Sequence, residues 1–210
     1  MIRAVISDFG GVLTTPLIES FRAYRDESGI SLEQLGIAMA QITTRTGEHP
    51  LFELERGRIT EAEFLGSLEA ELGGDVELRS LRETYFRHLH PNQRMIDFMR
   101  DLRDRGLRMA LLTNNVREWE PHWRAKLPDI DEIFELVVDS AFVGMRKPER
   151  GIYELTLERL GGGIRAEECV FLDDTDVNCA AAAELGMHAV RFESDDQAID
   201  ALESVLREHA

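Results

Sequence analysis

Cysteine is scarce in this chain. Its 210 residues hold two, Cys169 and Cys179, one in an expected strand and the other in an expected helix. Neither sits at metal-ligand spacing, so buried, reduced thiols are the expectation. Long apolar runs are missing too: no stretch approaches the roughly 18 residues that cross a bilayer. The N-terminus carries no basic segment, apolar run and cleavage site, so a cytoplasmic location is expected. Positive charge is in deficit, with 24 Lys and Arg against 40 Asp and Glu, a net charge of −16. Such a surface repels nucleic acid and anionic membranes, because binding a polyanion needs clustered positive charge. It also repels anionic substrates at long range, so any phosphate site must be locally positive. Repeats and low-complexity segments are absent as well. What remains is 43% hydrophobic and 30% charged residues, the balance of a soluble globular protein. The length suits one large domain or a core with a smaller insert.

The chain begins with a mostly apolar run, Ile2, Ala4, Val5 and Ile6, broken only by Arg3. That pattern predicts a parallel strand buried on both faces. It leads directly into Asp8-Phe9-Gly10-Gly11-Val12-Leu13-Thr14. In open α/β sheets the carboxyl ends of the strands form the ligand crevice. A carboxylate at that point is placed as a nucleophile or a metal ligand, and Gly10 and Gly11 let the backbone turn sharply and approach a ligand. A plain turn is the competing reading, since Asp and Gly are common turn formers.

From Pro16 to about Leu89 the pattern is helical, with no strand. Leu17, Ile18, Phe21 and Tyr24 follow the helical period, and Gly29 ends that segment. Ser31 with Gln34 and Thr60 with Glu63 match capping boxes that open helices over 32–43 and 61–72. A further helix is expected over 77–88, with loops at His49-Pro50 and Arg56-Gly57-Arg58. Alternation begins after Pro91. Helices are expected around Met95–Leu102, along Trp119, Trp123 and Leu127, around Ile152–Leu160, over 177–185, and in the tail at Ile199, Leu202 and Leu206. Strands are expected over 108–112, 135–138, 169–172 and 188–192. The fold class is therefore α/β: a Rossmann-like parallel sheet from residues 1–15 and 90–210, with an all-helical insert over 16–89. Because the insert follows the Asp8 loop, it is expected to lie over the crevice as a lid.

Four clusters fall at or beyond expected strand ends: Asp8, Thr113-Asn114, Lys147 and Asp173-Asp174. Singly, each has an ordinary explanation: a helix cap for Thr113-Asn114, a solvated charge for Lys147. Adjacent aspartates at a strand end favour a cation. Together, on one sheet edge, they set three carboxylates, a hydroxyl, a backbone amide and an ammonium around one pocket. That set suits Mg²⁺ with a phosphate.

With these four motifs in this order, the chain resembles the haloacid dehalogenase-like hydrolases, in their branch with a helical cap after the first motif. The resemblance implies that Asp8 is a nucleophile forming an aspartyl-phosphate and that Thr113 and the Asn114 amide bind phosphate. It implies that Lys147 screens nucleophile and phosphate, that Asp174 ligates Mg²⁺, and that Asp173 is a further ligand or a supporting acid. Gly11 is expected at the phosphate and the Gly10 carbonyl at the metal. Phosphatases of the family usually carry an acid-base aspartate where this chain has Gly10. The Asp-Phe-Gly-Gly-Val form resembles a sub-branch near the phosphatase-like domain of epoxide hydrolases and certain sugar-phosphate phosphatases.

The expected activity is Mg²⁺-dependent hydrolysis of a small phosphorylated metabolite by a monomer or homodimer. A catalytically impaired interaction protein that keeps the fold is the alternative; it would turn over no phosphate ester with or without Mg²⁺. A 2-haloacid dehalogenase is disfavoured by the charge of Asp173 and Asp174, and halide release in a chelator would revive it. The cap holds no recognisable binding motif, and His49, Glu53 and Arg56 are its candidate substrate contacts.

Overall fold

A computed structural model of the chain describes residues 1–73 and 76–209. Five parallel strands form one sheet in the order β3-β2-β1-β4-β5. They are β1 (Ala4–Ser7), β2 (Arg108–Thr113), β3 (Leu136–Asp139), β4 (Cys169–Asp173) and β5 (His188–Arg191). Side chains alternate across the pleat. Val5, Met109, Leu111, Val170 and Leu172 enter the apolar layer on one face, and Ala4, Ile6, Ala110, Leu112 and Phe171 enter the other. Both layers are buried, so these strands read as continuous apolar runs.

Between β1 and β2 lie α1 (Leu17–Ser28), α2 (Leu32–Thr46), α3 (Pro50–Glu55), α4 (Glu61–Leu72), α5 (Leu81–His88) and α6 (Gln93–Asp104). Both expected capping boxes form, Ser31 with Gln34 and Thr60 with Glu63. Helices α1–α5 enclose an apolar cluster of their own around Tyr24, Leu35, Phe64 and Leu68. The chain leaves and re-enters the sheet layer through adjacent segments: Thr14 bridges Pro91, and the Thr15 amide donates to the His90 carbonyl at 2.8 Å. Among the described residues six further α-helices follow: α7 (Glu120–Arg124), α8 (Ile130–Ile133), α9 (Ser140–Val143), α10 (Arg150–Leu160), α11 (Asp176–Glu184) and α12 (Asp195–Glu208). Among the described residues no helix is long and apolar enough to cross a membrane.

Three expectations need correction. His49-Pro50 is not a loop but the start of α3, with Pro50 in the first turn, where a missing N–H costs nothing. The helix expected from residue 77 starts at Leu81, because Leu78 is fully buried and its amide donates to Glu69 Oε1 at 2.7 Å. Trp119, Trp123 and Leu127 do not share one helix. A 3₁₀ turn over Arg117–Trp119 runs into α7, which has Pro121 in its first turn and ends before Leu127. Both tryptophans pack as expected: Trp123 against Phe9 at 5.2 Å between ring centroids, Trp119 against Tyr85 at 4.9 Å.

Candidate active site

Strand register builds the centre. Ser7 pairs with Leu111 on one side and Leu172 on the other. The next residue of each strand therefore lies at one edge, and the Asp8 amide donates to the Leu172 carbonyl at 2.8 Å. Asp8 thus stands beside Asp173, with Thr113 at the end of β2. Carboxylate oxygens of Asp8, Asp173 and Asp174 come within 4.8 Å of one another.

Lys147 reaches this edge from the segment after α9 and is only 1% exposed. Its Nζ lies 2.8 Å from Asp8 Oδ1 and 2.6 Å from Asp173 Oδ2. A lysine so deeply buried requires compensation, and the two carboxylates supply it. Burial works to lower its pKa, but Asp8 and Asp173 outweigh burial and hold the ammonium above the usual lysine value. The Asn114 side chain fixes the Lys147 backbone from both sides. Its Nδ2 donates to the Lys147 carbonyl at 3.0 Å and its Oδ1 accepts from the Lys147 amide at 2.8 Å. The Lys147-Pro148 peptide bond is cis.

Asp8 Oδ1 also accepts from the Phe9 amide at 2.7 Å. Among the described residues no hydrogen bond falls on Oδ2, which leaves that oxygen available to a ligand. Burial pushes the Asp8 carboxyl up to about 7, with Asp173 and Asp174 adding to the rise and Lys147 opposing it. Asp173 is fully enclosed. Its Oδ1 accepts from the Thr175 amide at 2.9 Å and Asn178 Nδ2 at 3.0 Å, and its Oδ2 takes Lys147. Asp174 is half-buried, and burial followed by Asp173 raises its pKa. A side chain at Gly11 would collide with it: a Cβ there would lie 2.4 Å from Asp174 Oδ2, at a backbone φ of +77°.

These residues line an open cleft of about 580 Å³, walled by Asp8, Gly10, Thr113, Asn114, Lys147 and Asp174 on the sheet side and by Leu17, Phe52, Glu55 and Arg56 from the helical insert. The insert is tied across the cleft by two ion pairs, Arg146–Glu55 and Arg56–Glu149, each at 2.5 Å. Of the three candidate cap contacts, Arg56 reaches the cleft, whereas Glu53 pairs with Arg56 and Arg58 and His49 stacks on Phe52. Sequence reasoning missed Asn178 and Thr175, which hold Asp173, and Tyr85, whose buried hydroxyl is raised by burial and by the charge of Asp8. A polar residue one turn into the helix after a strand-end aspartate was the available signal for Asn178; nothing local marks Tyr85.

The conjunction has parallels among known proteins. A family profile described as haloacid dehalogenase-like hydrolase matches residues 2–186. The sesquiterpene phosphatase astK of Aspergillus oryzae is 30% identical over 196 residues, covering 88% of this chain and 87% of that protein. Acyl-CoA dehydrogenase family member 10 of Mus musculus is 28% identical over 97% of this chain, which spans only 19% of that protein's length. Among solved structures, a HAD-like family hydrolase from Porphyromonas gingivalis superposes with a TM-score of 0.75 at 25% identity, covering 99% of this chain and 98% of its own. With a profile spanning both strands that carry the carboxylates, the chain belongs to the haloacid dehalogenase-like hydrolases.

Proposed function

We propose that the protein is a Mg²⁺-dependent phosphatase that hydrolyses a phosphate monoester through an aspartyl-phosphate at Asp8. The observation that carries this reading is the division of labour on Asp8: Oδ1 held by Lys147 and the Phe9 amide, Oδ2 left to react. The sesquiterpene phosphatase relative supports the reaction class.

The donor set fits the cation. Three crowded carboxylates with one ammonium leave an excess of negative charge, and a hard dication prefers oxygen ligands. Asp8, Asp174 and the Gly10 carbonyl would hold it. Asp173, both of whose oxygens already take protein donors, serves chiefly by holding Lys147 in place. Bound there, Mg²⁺ supplies neutralising charge to the phosphoryl oxygens.

The chain's own groups do the rest. Asp8 Oδ2 attacks phosphorus, the phosphorus–oxygen bond to the leaving group breaks, and its electron pair departs with that oxygen. Lys147, the Thr113 hydroxyl and the Asn114 amide balance charge on the phosphoryl oxygens. Water then attacks the phosphorus of the aspartyl-phosphate, releasing phosphate and restoring the carboxylate. Residues 16–89 act as the cap, with Glu55 and Arg56 at the cleft.

Purified protein assayed on a panel of phosphate monoesters, with Mg²⁺ and with a chelator, tests this. Turnover should require Mg²⁺, and Asp174→Ala should remove both the activity and the thermal stabilisation that Mg²⁺ gives the wild type. Turnover that survives chelation, or no turnover on any ester, overturns the reading.

A further inference from the structure

The helical insert forms a second, partly open cavity of about 320 Å³. Its wall is formed by Met39, Leu54, Phe64, Leu65 and Leu68 of the insert and by Trp119 after β2. Protein interiors are close-packed, and an apolar void lowers stability in proportion to its volume. A space of this size amid leucine and phenylalanine is therefore a feature to be explained. Two of its polar neighbours are already paired: Glu61 accepts from Trp119 Nε1 at 2.7 Å and pairs with Arg82 at 2.8 Å, and Glu55 pairs with Arg146. Water gains few partners inside such a wall, whereas hydrocarbon gains many.

The cavity adjoins the active-site cleft. Leu17, Glu55 and Asn114 line both spaces, and Leu17 covers Gly10, where its methyl groups would lie 3.1 and 3.2 Å from a Cβ. A molecule with phosphate at Asp8 and Lys147 thus has an apolar chamber beside it.

We propose that this chamber takes the hydrocarbon tail of the substrate, so that the enzyme acts on monophosphates of apolar alcohols rather than on hydrophilic sugar phosphates. The assignment of the phosphate end rests on the phosphatase reading above; the chamber itself does not. An apolar cavity of about 150 Å³ admits benzene, so by proportion this one suits a chain of roughly eight to twelve carbons.

The test uses straight-chain alkyl monophosphates below their micellar concentrations, with kcat/KM measured on the wild type. Fluorescence of Trp119, in the chamber wall, follows binding of decyl phosphate and of uncharged decanol. We expect kcat/KM to rise by up to about fourfold per added methylene, the equivalent of full burial, and to fall once the chamber is full. Met39→Trp should move that optimum to shorter chains. Both alkyl ligands should perturb the fluorescence. Hydrolysis with no dependence on chain length overturns this inference and leaves the phosphatase reading standing. Decanol binding without hydrolysis of any ester does the reverse: the chamber stands and the phosphatase reading falls. Neither binding nor hydrolysis overturns both.

Discussion

Gly10 stands where the resemblance implies an acid-base aspartate, and its neighbourhood shows what a glycine there entails. Its φ is not positive, so the backbone there accepts a side chain. The obstacle is Leu17, whose methyl carbons would lie 3.1 and 3.2 Å from a Cβ at Gly10. The space of an acid-base side chain is thus partly filled by hydrocarbon. Positioned acid-base catalysis is worth about 10²–10⁴-fold. Wild-type rates should therefore depend steeply on leaving-group acidity, with aryl phosphates cleaved much faster than alkyl ones. Gly10→Asp alone should gain little on an alkyl phosphate, whereas Gly10→Asp with Leu17→Ala should gain about 10²-fold; steady-state rates of the two variants check this. Asp139 supplies a prediction about pH. Its Oδ1 caps α9 by accepting from the Ala141 amide at 3.0 Å, while Oδ2 is buried and accepts no hydrogen bond of good geometry among the described residues. Burial, with Glu120 adding, pushes its carboxyl from 3.8 up to about 7. The folded state then binds this proton more tightly than the unfolded one. Its contribution to stability is full below about pH 4, declines as pH rises, and is lost above about pH 7. Asp139→Asn keeps the cap and removes the titration. Urea unfolding should show the wild type losing about 2–3 kcal/mol more than the variant between about pH 5 and pH 8. Equal losses would mean that Asp139 is not held protonated.

At the scale of elements, the helical insert meets the sheet layer through a tight turn after α3. Gly57 sits at φ +66°, and a Cβ there would lie 2.2 Å from the Ala141 carbonyl oxygen. That oxygen accepts from Arg117 Nη2 at 2.7 Å, so it has little freedom to move. Gly57→Ala should cost about 1–3 kcal/mol from the left-handed backbone alone, and it should also raise KM by pushing Glu55 and Arg56 off the cleft. Thermal unfolding and steady-state kinetics check the two effects separately. The helix starts of the insert were legible because a capping box is local: Ser31 with Gln34 and Thr60 with Glu63 need only each other. Helix α3 was hidden because its six residues are too few for periodicity, and Pro50 reads equally as a loop and as a first turn. The break after Trp119 was masked by regular spacing that continued past the end of α7.

Across the whole molecule, the excess of acid leaves the cleft dependent on local positive charge. Arg146 and Arg56 lie at its rim, yet each is paired with a glutamate, and Lys147 is the cation in contact with Asp8. The sheet and the convergence of Asp8, Thr113, Lys147 and Asp173 were legible because strand ends in a parallel sheet share one edge. What holds them was not. The Asn114 clamp on the Lys147 backbone joins residues 33 positions apart through geometry that no spacing rule encodes, and the Asn178 bond to Asp173, 5 positions apart, was marked only by its place early in the helix after a strand-end aspartate. Everything proposed of this arrangement passes through one bond, between Asp8 and phosphorus. The most direct test quenches the enzyme in acid during turnover of an aryl phosphate with Mg²⁺ and maps the adduct by mass spectrometry. With no side chain at position 10 to activate water, dephosphorylation should be slow enough for the intermediate to accumulate. A phosphoryl group should be found on Asp8, absent from Asp8→Asn and from samples quenched in a chelator. Turnover with no adduct on Asp8, or undiminished turnover by Asp8→Asn, would contradict it.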